Sequence, residues 1–116
     1  MSFQNDVPIV QKVYNLYKLF FEQIDHLPKK SREVLTVKIE QLIMDLLELL
    51  SSAEMSSATT KIQYLNRASI KLDFLKVLIR MLYELKIINQ PRYLELEAHL
   101  QEIGKMLGGW MKSLKG

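Results

Sequence analysis

Apolar residues return at alternating three- and four-residue steps through almost the whole chain, and this rhythm constrains the fold more than any other feature. Val10, Val13, Tyr17, Phe20, Ile24 and Leu27 form one run, and Leu35, Ile39, Leu42, Leu46 and Leu49 a second. Ala68, Leu72, Leu75, Ile79 and Leu82 form a third, and Leu96, Leu100, Ile103, Leu107, Trp110 and Leu114 a fourth. Such spacing lays each run along one stripe of an α-helix. No segment alternates apolar and polar residues as a half-buried strand would. The fold class is therefore all-α.

Breaks between the runs set the helix boundaries. Asp6 can cap and Pro8 suits a first turn, so the first helix is expected over residues 8–26, up to the break at Leu27-Pro28. Pro28 or Ser31 can open the second, over 30–53. The small polar stretch 51–60 holds a turn, and Thr59 or Thr60 caps a third helix over 60–89. Asn89-Gln90-Pro91 ends it and starts a fourth over 91–114. Four helices on short connections predict an antiparallel up-down four-helix bundle, and 116 residues suffice for one domain, 1–116, with one core.

The apolar arcs are broader than one bundle core requires. Tyr14, Leu16, Leu19 and Phe21 widen the first, Ile43, Leu47 and Leu50 the second, and Phe74, Leu78, Met81, Leu85 and Ile88 add another seam to the third. Part of this surface is expected to be buried between identical subunits.

Several chemistries are absent from the sequence. Without cysteine there is no disulfide, thiolate metal site or cysteine nucleophile, which suits a reducing cytoplasm. Residues 1–6 lack the basic start and apolar run of a signal peptide, and Asp45 and Glu48 interrupt the most apolar segment, so no membrane span is expected. His26 and His99 follow Glu22 and Glu95 by four residues, the spacing of a helix-surface pair, whereas carboxylate di-metal bundles use Glu-x-x-His. Arg92 and His99 superficially resemble the Arg-His motif of HEPN ribonucleases, but Tyr93 replaces the polar residue usual after the arginine. No phosphate loop or nucleophile elbow is present. No catalytic residue, metal or cofactor is expected.

Surface charge is more informative. The net charge is +3, and between Lys61 and Lys86 six basic residues face only Asp73 and Glu84. Lys76 and Arg80 lie one turn apart there; taken alone they read as a solvated face on which Arg80 pairs with Glu84. Lys29, Lys30 and Arg32 form a second cluster at the start of the second helix, where cations oppose the helix dipole. Lys105, Lys112 and Lys115 complement the dipole at the end of the fourth.

The fourth run keeps its phase through Gly104, Gly108 and Gly109, so the helix is expected to continue across them to Leu114. Each glycine costs roughly 1 kcal/mol against alanine, which something must offset. Gly104 and Gly108 share one face and would admit a second backbone closely. Alternatively, Gly108-Gly109 is a C-terminal cap and the tail frays.

Ile103-Gly104-Lys105-Met106-Leu107-Gly108-Gly109-Trp110, followed by Met111-Lys112-Ser113, resembles the C-terminal signature of the accessory variability determinant (Avd) proteins of diversity-generating retroelements. Pro28-Lys29-Lys30 resembles the start of that family's second helix. Leu72-Asp73-Phe74-Leu75-Lys76-Val77-Leu78-Ile79-Arg80 resembles its third-helix pattern of two basic residues four apart, with lysine at 76 where arginine is usual. The resemblance implies a four-helix bundle assembled into a pentameric ring. It also implies a non-enzymatic accessory that associates with a reverse transcriptase and template RNA or an RNA/DNA hybrid during mutagenic cDNA synthesis.

On this reading Lys76, Arg80, Lys29, Lys30 and Arg32 contact nucleic acid or the polymerase, and Gly104, Gly108 and Trp110 serve helix packing. A ring would multiply phosphate contacts indifferent to sequence. The alternative is a stand-alone oligomeric RNA-binding bundle of the kind encoded in ribosomal-RNA intervening sequences.

Overall fold

The computed structural model describes residues 8–25, 27 and 34–115. Four helices appear in chain order: α1 (Ile9–Ile24), α2 (Leu35–Glu54), α3 (Ala58–Glu84) and α4 (Gln90–Leu114). No strand occurs among the described residues. Each helix packs on two others, α1 and α3 both lying against α2 and α4, so the four close a cycle around one core. This is a four-helix bundle.

The core follows the stripes read from the sequence on three helices and departs from them on one. Ile39, Leu42, Leu46 and Leu49 of α2 are buried together with Ile43 and Leu50. Ala68, Leu72, Leu75, Ile79 and Leu82 of α3 are buried, as are Leu96, Leu100, Ile103 and Leu107 of α4. Each leucine-sized side chain removed from water contributes roughly 2 kcal/mol.

On α1 the buried stripe is Ile9, Val13, Leu16 and Phe20, one residue out of phase with Val10, Tyr17 and Ile24, which are half-buried. The apolar arc of α1 spans both stripes, so periodicity does not choose between them. Chemistry does: Tyr17 keeps its hydroxyl at the rim, 3.5 Å from a Glu40 carboxylate oxygen on α2.

Three helix ends differ from expectation, the first being the start of α2, which begins at Leu35 with Val34 at its N-cap and not at 30. Helix α3 stops at Glu84, not at 89, because Lys86 turns into the left-handed region (φ 61°). The Ile87 N–H then donates to the Leu82 carbonyl (2.8 Å) and the Lys86 N–H to that of Tyr83 (3.0 Å), a Schellman closure on a residue other than glycine. Helix α3 begins at Ala58 with Ser57 at its N-cap, leaving Thr59 and Thr60 inside the first turn.

Asn89 caps α4, its side-chain oxygen accepting from the Arg92 N–H at 3.0 Å, and Pro91 sits where a missing N–H costs nothing. Tyr83 and Tyr93 stack across this turn, ring centroids 4.6 Å apart. Helix α4 runs without interruption through its three glycines to Leu114.

Candidate nucleic-acid interface

Helix α3 presents its two singled-out cations differently. The Arg80 guanidinium donates to Glu84 at 3.0 Å, the pairing along one helix that charge spacing alone suggests. Lys76 has no ion pair among the described residues. It leans instead across the seam to α4, where its Nζ would lie 3.3 Å from a Cβ placed on Gly104.

Gly104 therefore makes room for a side chain of α3, with Leu72 also close, at 3.8 Å. Beyond it the seam opens into a groove of about 270 Å³, lined by Ser69, Asp73 and Lys76 from α3 and by Gly104, Lys105 and Gly108 from α4. A Cβ at Gly108 or Gly109 would meet nothing within 4 Å. Within one chain, only the first of the two glycines expected at a helix contact has another helix against it.

Trp110 is half-buried against the core, with the Lys61 ammonium 5.9 Å from its ring centroid. That distance suits a cation–π contact between the first turn of α3 and the last turns of α4. Lys29, Lys30 and Arg32, like the Pro28-Lys29-Lys30 segment and His26, lie outside the described residues.

Two other lysines reach across helix seams and do find carboxylates. Lys12 of α1 pairs with Glu102 of α4, and Lys71 of α3 with Asp45 of α2 at 3.2 Å. The hydrogen bond from Lys12, outweighing a small desolvation, holds the Glu102 carboxyl below its usual range. Burial pushes Asp45 up, but hydrogen bonds from Gln41 and Lys71 outweigh it and leave that carboxyl lowered as well. Neither pairing is legible in the sequence, because the register between helices is needed to see it.

The outer face of α3 carries an apolar stripe among its charged and polar residues. Ile70, Phe74, Val77 and Met81 repeat at four, three and four residues, and they are 70%, 45%, 52% and 36% exposed. The seam read through Phe74, Leu78, Met81, Leu85 and Ile88 divides: Leu78 and Ile88 are buried, and the other three face outward. Val37 and Met44 on α2, and Tyr14 and Phe21 on α1, are exposed too, with the Lys18 ammonium 5.0 Å from the Tyr14 ring centroid.

Arg92 lines a pocket of about 180 Å³ with Glu22, Gln23 and Glu95, and His99 is not part of that lining. No group of acidic, histidine or cysteine side chains able to hold a metal ion occurs among the described residues. No described helix is long and apolar enough to cross a membrane.

A family model described as bAvd-like matches residues 7–114. No curated protein and no solved structure matches the chain.

Proposed function

Because the chain belongs to the bAvd-like family, we propose that it is a non-catalytic accessory protein of a diversity-generating retroelement. Its role is to hold a reverse transcriptase and template RNA, or an RNA/DNA hybrid, during mutagenic cDNA synthesis in the cytoplasm; the polymerisation chemistry belongs to that partner. The family match over nearly the whole chain is the observation that carries this reading.

Two structural features support it. The connections 55–57 and 85–89 are too short to cross the length of a helix, as suits neighbours running antiparallel, up and down. The outward apolar stripe of α3 needs a cover, and a further copy of the chain supplies one in a ring, five-membered by the family resemblance. Around such a ring Lys76 and Arg80 recur on every subunit, with Lys29, Lys30 and Arg32 as a second cationic set. A few cations per chain bind weakly, whereas their repetition raises affinity without enlarging the chain.

The test is co-purification with the reverse transcriptase encoded nearest to this chain, together with RNA binding measured across salt. The reading predicts a stable complex and RNA affinity that falls steeply with salt and is indifferent to sequence. RNA binding without any polymerase association would favour the stand-alone bundle of the intervening-sequence kind. Loss of both would overturn the proposal.

A further inference from the structure

Lys76 differs from Lys12 and Lys71, the two lysines among the described residues that form ion pairs across a helix seam. Lys12 and Lys71 each end on a carboxylate of the neighbouring helix, and Lys76 ends over a bare stretch of α4 backbone. The Lys76 side chain is half-buried and its ammonium has no ion pair among the described residues. That arrangement leaves a place for an external anion.

The groove around it has the features such an anion needs. Lys105 lines it from α4 and Ser69 from α3, Gly104 and Gly108 add no side chain between them, and Leu72, Leu107 and Met111 also line it. Gln101 is already committed to Glu97, at 2.7 Å. Asp73 on the rim opposes an anion, but no ion pair joins it to Lys76. Arg80, one turn further along α3, is held by Glu84, and Lys112 lies one turn beyond Gly108 in the sequence of α4. The two ammonium groups that line the groove, Lys76 and Lys105, suit a phosphate between them.

We infer that the α3–α4 groove seats a phosphodiester of a polynucleotide strand between Lys76 and Lys105, with Gly104 and Gly108 providing the clearance. This rests on the nucleic-acid role proposed above and gives it a location. Gly108 thereby acquires a function other than helix packing: it keeps the groove empty. Gly104 is a positioning residue, since a side chain there would push the Lys76 ammonium away.

The experiment compares two neutral substitutions one residue apart. Gly108→Leu fills the groove. Gly109→Leu makes the same chemical change outside it, since Gly109 is not part of the lining. Both positions have open space, both gain helix propensity, and neither changes charge.

Binding of a fluorescent 20-nucleotide poly(U) RNA is measured for the wild type, both variants and Lys76→Ala, with the solution mass and circular dichroism of each. The expected result is a five- to tenfold loss of affinity for Gly108→Leu and Lys76→Ala and less than a twofold change for Gly109→Leu, at unchanged mass and helicity. Equal effects of the two leucines, or a loss accompanied by altered mass, would overturn the groove assignment while leaving RNA binding as a property of the protein. An occluding effect seen with a poly-glutamate peptide but not with RNA would make the occupant a protein partner and overturn it as well. A wild type that binds no RNA would remove the functional reading and the groove together.

Discussion

Helix α4 has two long edges, and they are finished in opposite ways. Along α1, Lys12 reaches Glu102 and the seam is closed by an ion pair. Along α3, Lys76 reaches Gly104, where no side chain answers it, and the seam stays open. Both edges rest on the same buried stripe, Leu96, Leu100, Ile103 and Leu107. The core fixes where the helix lies, and the residue opposite each lysine decides whether that lysine closes an ion pair.

The largest expected effect comes from the stripe beneath both edges. Ile103→Ala removes a fully buried side chain and should cost about 3 kcal/mol in urea unfolding, more than either edge contributes. A loss under about 1 kcal/mol would mean that α4 is not anchored as described.

Next is the open edge. Lys76→Ala should weaken RNA binding by about tenfold, equivalent to about 1.4 kcal/mol, and flatten its salt dependence, with unfolding stability nearly unchanged. Lys12→Ala at the closed edge should leave RNA binding within about twofold. If the two lysines proved interchangeable in the binding assay, the contrast between the edges would vanish.

The glycines sharpen the same contrast. Gly109→Ala, in open space on a continuous helix, should raise stability by about 1 kcal/mol. No change, or a loss, on thermal unfolding would indicate a contact at that position.

The smallest effect belongs to the closed edge itself. Lys12→Ala should cost about 0.5 kcal/mol, since the Glu102 side chain is half exposed. The Glu102 carboxyl is lowered in the fold, so the pair's contribution is fully present above the ordinary value of 4.5 and is lost as pH falls through the folded value. The deficit of Lys12→Ala should accordingly shrink in acid, and a deficit that grew there would contradict the pairing.

Much of this molecule is legible in its residues. The three-four rhythm gives four helices and most of the core, and the phase that persists from Ile103 to Leu114 correctly carries α4 through its glycines. Besides the two inter-helix ion pairs, three things are not legible. On α1 two adjacent stripes are both apolar, so the sequence does not say which one faces inward. At the end of α3, Lys86 adopts a conformation that usually belongs to glycine or asparagine, so residues 85–89 read as more helix.

The third is the groove, which depends on which residue of α4 stands opposite Lys76. That register is set by packing between helices and has no trace in local spacing. The outward stripe through Ile70, Phe74, Val77 and Met81 has the right period but merges with the inner seams when read along the chain.

On the function proposed above, this outward stripe is covered by further copies of the chain. Light scattering on the purified protein, from low to high micromolar concentration, tests it most directly. A mass several times the 13.6 kDa of one chain, close to fivefold, is expected, collapsing toward a single chain in Phe74→Asp. A 13.6 kDa particle throughout that range, with the stripe facing water, would contradict it.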